Sequence, residues 1–240
     1  MRFIGQDPST QPRRNLIING TGMINQRSYV TGAATAAANE YTLDRWRVVT
    51  SGQSLAYTGN NAGRTMTAPA GGAEQVVEGV NIAGGTYVLN WDGTATATVG
   101  GNAVAKGGTV TLAANTNATL RLTSGTFTSV QLELGSVATP FEHRSYVEEL
   151  ALCQRYYEGS KINLRHFTTA SGQYLRQIVQ YAVEKRATPT VTGVQGSQSN
   201  IEYNGTNSTF STNTANFDFR STGAASNGYS YYTFSFDAEL

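Results

Sequence analysis

Charge is scarce in this chain. Of 240 residues only 14% are Asp, Glu, Lys or Arg, and 17 basic residues face 16 acidic ones for a formal net charge of +1. That balance supplies no global attraction to nucleic acid, acidic membranes or acidic substrates, and no basic stripe marks a nucleic-acid surface. Lysine occurs only at Lys106, Lys161 and Lys185, and the other basic residues are Arg. Cysteine occurs once, at Cys153, which excludes an intramolecular disulfide framework. With only His143 and His166 as histidines, no Cys/His cluster is available for a structural zinc. No apolar run approaches the roughly 18 residues of a spanning helix, so no membrane insertion is expected. Residues 1–14 lack the apolar core of a secretory signal, and an extracellular destination would be reached by another route. Proline is rare, at 5 residues, whereas Gly reaches 26 and aromatics 10%, among abundant Thr, Ser and Asn. This composition suits short strands and tight turns, not a helical bundle, and it carries too little net charge and too many aromatics for disorder. The expected fold class is mostly β.

The length suits one large or two modest domains. Residues 1–13 are polar and hold Pro8 and Pro12, which favour an extended arm, a frayed terminus or a docking strap. In the docking reading Arg2, Phe3, Ile4 and Arg13 are the candidate docking residues. Residues 14–142 are expected to form a β-sandwich of jelly-roll type. Leu16-Ile17-Ile18 reads as a short strand stopped by Asn19-Gly20, and Trp46, Val48 and Val49 mark another. Tyr87-Val88-Leu89-Asn90-Trp91 runs into Asp92-Gly93 and an alternating Thr/Ala segment, the pattern of a tight hairpin. Gly100-Gly101-Asn102 makes the next turn. Further apolar runs follow at a spacing of about ten residues, the rhythm of a sandwich. Val130, Leu132 and Leu134 alternate with Gln131 and Glu133, which predicts one buried face and one wet face.

Residues 143–240 are expected to hold a connecting helix and a C-terminal β-domain. Ser145 and Glu148 form a capping box, and Val147, Leu150, Cys153 and Tyr157 fall at helical spacing ahead of Gly159, which predicts a helix over 145–158. Cys153 lies on that apolar stripe and reads as a small core residue. Residues 197–216 are poor in aliphatics and read as loops or as exposed strands. In the last strand Tyr232, Phe234 and Phe236 share one face, and Tyr231 is expected on the other.

Catalytic chemistry is not visible. His143 and His166 read as surface or structural histidines, and no Gly-x-Ser-x-Gly elbow is present. Nothing in the spacing of the carboxylates singles out a glycosidase pair. Phosphate-binding glycine loops and Asp-rich calcium loops are also missing. The expectation is therefore a protein that is not an enzyme, with no cofactor and no metal. What remains is recognition through aromatic side chains on β-surfaces, which offer rigid area at small entropy cost. Tyr203, Tyr229 and Tyr231, in or beside polar turn-rich segments, are the candidate glycan- or partner-binding residues, each with the alternative of being an ordinary half-buried strand tyrosine.

Several segments resemble one family. Asn15-Leu16-Ile17-Ile18-Asn19-Gly20 through Gln26-Arg27, then Tyr41-Thr42-Leu43-Asp44-Arg45-Trp46, is similar to the start of a module found in tailed-bacteriophage tail-fibre and receptor-binding proteins. The most specific stretch is Val130-Gln131-Leu132-Glu133-Leu134-Gly135-Ser136-Val137-Ala138-Thr139-Pro140-Phe141-Glu142, continued by Glu148-Glu149-Leu150-Ala151-Leu152-Cys153-Gln154-Arg155-Tyr156-Tyr157. Arg186-Ala187-Thr188-Pro189-Thr190 and Asp237-Ala238-Glu239-Leu240 are similar to the C-terminal part of such proteins. The resemblance implies a carbohydrate-binding-module-like β-sandwich, a second β-rich domain and a homotrimer on a virion, made in the bacterial host cytoplasm. It implies contact with other virion proteins and attachment to host-surface glycan, but no catalytic residues. Glu133, Glu142 and Arg155 of the signature read as fold residues, of the kind a corner salt bridge would explain. With a short arm ahead of the first domain, a capsid decoration or head-fibre protein is the alternative to a tail fibre, and the residues do not choose between head and tail.

Overall fold

The computed structural model describes residues 13–168, 170–223 and 226–240, so Arg2, Phe3 and Ile4 of the expected arm lie outside the described residues. The chain is mostly β with a single α-helix among the described residues. It divides into two compact units, Met1–Leu150 and Ala151–Leu240, with the boundary inside the helix and not at 142/143.

The first unit contains β1 (Glu40–Tyr41), β2 (Arg47–Val48), β3 (Ala56–Asn60), β4 (Gly63–Ala68), β5 (Ala73–Val77), β6 (Gly85–Asp92), β7 (Thr96–Val99), β8 (Asn102–Val104), β9 (Gly108–Leu112), β10 (Ala118–Thr123) and β11 (Gly125–Leu134). They form a six-stranded sheet in the order β1-β2-β5-β10-β7-β8 and a five-stranded sheet in the order β3-β4-β11-β6-β9. One core is shared by both. Val48, Val99, Leu120 and Leu122 from the first sheet and Met66, Leu89, Phe127 and Leu132 from the second are at or near zero exposure. The alternation of buried and partly exposed residues along β4 and β10 produces that one-sided burial. Trp46 packs on Phe127 at 5.0 Å between ring centroids, and its indole donates to the Asn19 carbonyl at 2.9 Å.

Three local expectations change here. Leu16-Ile17-Ile18 is not a regular strand, although Leu16 N–H donates to the Leu132 carbonyl. Side chains take up backbone groups of Ile17 and Ile18: Asn15 Oδ1 accepts from Ile17 N–H, Arg144 Nη1 donates to the Ile17 carbonyl, and the Gln75 amide both accepts from and donates to the Ile18 backbone at 2.8 Å. Asp92-Gly93 does not close a hairpin, because β6 pairs with β9 and β11 while β7 pairs with β8 and β10. The turn carries the chain from one sheet to the other. The tight hairpin is the next one, where Gly100 (φ 57°) and Gly101 (φ 84°) join the paired Val99 and Asn102. Finally, the polar face of β11 is not wet. Gln131 and Glu133 are buried at 2% exposure, whereas Leu134 is 55% exposed.

The burial of that polar face has a clear cause. Glu133 accepts from the Thr139 amide at 2.7 Å and from the Thr139 hydroxyl at 2.7 Å, and pairs with Arg14 at 3.2 Å. Glu142 accepts from the Asn15 amide at 2.9 Å and meets Arg144 at 3.2 Å, and it also holds the Arg13 amide. Arg144 reaches Glu149 at 3.6 Å. Burial raises the Glu149 carboxyl pKa above its ordinary value, against the opposing pull of the Asn19 amide and Arg144. Glu133, Glu142 and Glu149 are thus bound to Arg13, Arg14, Asn15, Asn19 and Arg144, strapping the N-terminal segment across β11.

The helix α1 spans Tyr146–Gln154, shorter than the expected 145–158. Its start follows the capping box: Ser145 Oγ and N donate to Glu148 Oε2 at 2.8 and 2.9 Å, and the Glu148 amide donates back at 3.3 Å. It ends early because sheet pairing captures the chain. The carbonyls of Arg155 and Tyr156 accept from Arg186 and Ala238, and Gly159 sits inside a strand opposite Ser235. Val147 is 73% exposed, while Glu149 and Cys153 face inward.

The second unit holds β12 (Tyr157–Thr168), β13 (Tyr174–Gln180), β14 (Thr190–Ser199), β15 (Ile201–Phe210), β16 (Thr214–Ser221) and β17 (Ser226–Asp237). Two three-stranded sheets, β12-β17-β14 and β13-β16-β15, share a core of Ile162, Ile201, Phe217, Phe219, Tyr232, Phe234 and Phe236. Rings fill it: Phe217 and Phe234 lie 4.2 Å apart between centroids. The Ser/Thr/Asn-rich segment of 197–216 is largely β14 and β15, so its exposed-strand reading holds.

Candidate functional site

Strand alternation sorts the three candidate tyrosines. Along β17, Ser230, Tyr232, Phe234 and Phe236 point into the core, which turns Tyr229 and Tyr231 to the outer face. Tyr203 does not belong with them. It is packed edge-on and tilted against Phe217, Phe219, Tyr232 and Phe234 at 5.3 to 6.0 Å, an edge of the core and not a platform. The segment around it is polar because the outer side of β15 is exposed. Its inner side carries Ile201 and Tyr203, and after a register shift between Asn204 and Thr209 it carries Phe210.

The pairing of β12 with β17 supplies the rest of the surface. Arg165 lies directly opposite Tyr229, Asn163 opposite Tyr231, and Phe167 opposite Asn227. The Arg165 guanidinium reaches diagonally to Tyr231, donating to its hydroxyl oxygen from Nη2 at 2.7 Å and from Nε at 3.2 Å. These bonds raise the Arg165 pKa above its ordinary value and leave the Tyr231 O–H proton for another acceptor. Tyr229 and Tyr231 stand 5.6 Å apart between centroids with planes inclined by 53°. Tyr229 is 37% exposed and Phe167 56%. A cavity of about 570 Å³ opens among Arg165, His166, Phe167, Asn227, Gly228 and Tyr229.

Gly228 is closely packed: a Cβ there would stand 2.5 Å from Ile201 Cγ1, so a side chain at this position would force a local shift. The lining provides aromatic faces, a guanidinium, a carboxamide and an imidazole. Among the described residues it contains no carboxylate. Its chemistry is that of holding a polar ligand with apolar faces: stacking on Tyr229 and Phe167, and hydrogen bonds from Arg165 and Asn227, with the Tyr231 hydroxyl on the adjoining surface.

Arg165, His166, Phe167 and Asn227 were not singled out by sequence as members of this surface. The only local signal was that β12 carries polar and apolar residues in alternation. Their proximity to Tyr229 depends on a pairing register between strands some sixty residues apart. Of the docking residues, Arg13 is described. It is exposed, has φ of 64°, and its amide is held by Glu142 at the strapped corner. His143 is exposed and edge-on to Phe141 at 5.0 Å. Among the described residues no group of three or more His, Cys, Asp or Glu is placed to hold a metal ion, and no helix is long and apolar enough to cross a membrane. Compared with known proteins, the chain matches no family model, no curated protein and no solved structure.

Proposed function

We propose that this chain is a structural, non-catalytic virion protein of a tailed bacteriophage, a tail-fibre or receptor-binding protein that attaches the particle to bacterial surface glycans as a homotrimer. The observation that carries the reading is the outer face of β12 and β17, where Tyr229, Tyr231, Arg165 and Phe167 gather on one exposed surface. Sugar rings present apolar C–H faces edged by hydroxyls. Tilted tyrosine rings beside a tethered guanidinium match that alternation, and the Arg165–Tyr231 bonds hold both groups in place before a ligand arrives. One such shallow site binds weakly. Three on one particle component bind together through effective concentration, which is how a weak contact supports attachment.

Purified protein applied to a panel of immobilised bacterial capsular and lipopolysaccharide glycans is expected to be retained by at least one of them. The Tyr229→Ala/Phe167→Ala double variant, altered only on the outer face, is expected to lose about ten-fold or more of that retention. Retention of the variant at the native level, or no retention by any glycan, overturns the reading. In that case a capsid-surface decoration role, which needs no glycan, takes its place.

A further inference from the structure

The outer face of the six-stranded sheet in the first unit carries a row of charged side chains that neither the core nor the strapped corner uses. Strand register aligns Arg47 of β2, Glu74 of β5, Arg121 of β10 and Thr98 of β7 side by side. Glu74 is buried, its side chain 5% exposed, and it is bracketed from both sides. Arg47 donates to Glu74 Oε2 from Nε at 3.2 Å and from Nη2 at 3.0 Å. Arg121 contacts Oε1 from Nε and Nη2, both at 2.6 Å. The row shares the one Glu74 carboxylate between two guanidiniums, Arg47 on Oε2 and Arg121 on Oε1. Arg121, 42% exposed, is its accessible member, and no described residue accepts from its Nη1.

Around Arg121 the surface is hollow and hydroxylated. The row lies in a cavity of about 740 Å³ lined also by Thr98, Thr119, Thr123 and the Gly100-Gly101 turn. Thr119 and Thr123 flank Arg121 on the same strand face, each roughly 7 Å away along the strand. A Cβ at Gly100 or Gly101 would meet nothing within 4 Å, so the rim on that side is open. The bonds from Arg121 to Glu74 lock its rotamer through one edge of the guanidinium, leaving a planar fork already ordered for a second oxyanion. Among the described residues no aromatic ring lines the cavity.

We infer that this cavity is a second binding site, for an anionic saccharide: a polyhydroxylated chain bearing a carboxylate or phosphate oxyanion that docks on Arg121, with the threonine hydroxyls meeting the neighbouring sugar hydroxyls. The inference goes beyond the proposal for Tyr229, since it concerns the other unit and stands if that surface binds nothing.

Titration calorimetry of the full chain at low salt tests it with three probes: a galacturonate trisaccharide, its neutral galactose counterpart and a glycerol-phosphate oligomer. At least one anionic probe is expected to bind about ten-fold or more tightly than the neutral one, and which of the two does so identifies the oxyanion. Arg121→Gln is expected to weaken that binding about ten-fold, Arg121→Lys less so, and Tyr229→Ala not at all. In the wild-type protein, where no substitution perturbs folding, the amide resonances of Thr98, Gly100, Gly101 and Thr119 are expected to shift on titration. Equal binding of neutral and anionic probes, or an unchanged affinity in Arg121→Gln, overturns the inference. So does the absence of those shifts at about 10 mM ligand, a concentration that reveals even millimolar affinity.

Discussion

At Tyr181 and Lys185 the second unit buries two titratable side chains against one another. The Lys185 ammonium has no exposed surface, donates to Glu158 Oε2 at 2.6 Å and lies 4.9 Å from the centroid of the Tyr181 ring. Burial lowers the Lys185 pKa, an effect opposed by Glu158. Tyr181 packs on Phe236 at 4.8 Å, and its buried hydroxyl has no partner among the described residues. Desolvation first, and the Glu158 charge second, push its pKa up to about 12. The folded state therefore keeps the phenol proton that the unfolded chain releases near pH 10. The stability this provides is complete below pH 10 and is lost as pH rises towards 12. Lys185 acts in the opposite sense below its unfolded pKa, so comparison with a variant isolates the phenol. Tyr181→Phe keeps the ring under the ammonium and removes an unpaired polar atom. Its stability at pH 7, read by urea unfolding, is expected to be unchanged or up to about 1 kcal/mol higher, and the decline between pH 10 and 12 is expected to become shallower. A loss of more than that amount at pH 7 would mean that the hydroxyl has a partner.

The turns show what an element demands of its sequence. Gly93 and Gly101 both have positive φ, at 122° and 84°. Only Gly93 is also enclosed: a Cβ there would stand 2.1 Å from the Thr126 carbonyl oxygen, where β6 hands the chain to β7 in the opposite sheet. Gly101→Ala is expected to cost about 1 kcal/mol for the backbone conformation alone, whereas Gly93→Ala adds a clash with backbone and is expected to cost more than about 3 kcal/mol. Urea midpoints of the two variants test this, and equal losses would show that the sheet crossing tolerates displacement. The same pair illustrates how elements were legible. Asp92-Gly93 has the composition of a tight hairpin, and the preference for positive φ was real. Whether a turn joins neighbours or crosses between sheets depends on which strands pair, and that lies outside the turn. The capping box of α1, by contrast, lies wholly within four consecutive residues and was legible in full. The end of α1 was not, because backbone hydrogen bonds from the distant residues Arg186 and Ala238 capture the carbonyls of Arg155 and Tyr156 there.

For the whole molecule the proposal of a trimeric virion protein makes a direct statement about mass. Light scattering on the purified chain is expected to give a stable species near three times 25.6 kDa, and a clean monomer at all concentrations would remove the homotrimer from the proposal. Composition and periodicity were enough for the β class, for most strands from Gly85 to Leu134 and for the inward and outward faces of β17, because strand period, β-branching and turn residues are properties of a few neighbouring residues. The aromatic surface was half legible. Tyr229 and Tyr231 could be assigned to the outer face by counting along one strand, while for Tyr203 the choice between exposed platform and half-buried strand tyrosine was left open and the structure decides for the latter. Gln131 and Glu133 looked like a wet face because nothing local announces that residues 13–18 and 139–144 will cover them. Only the tertiary structure brought Arg165 and Phe167 to Tyr229, and Arg47 and Arg121 to Glu74. Each of those groupings is set by long-range strand register, whose energy comes from burying two sheets against each other and is written in no single segment of the chain.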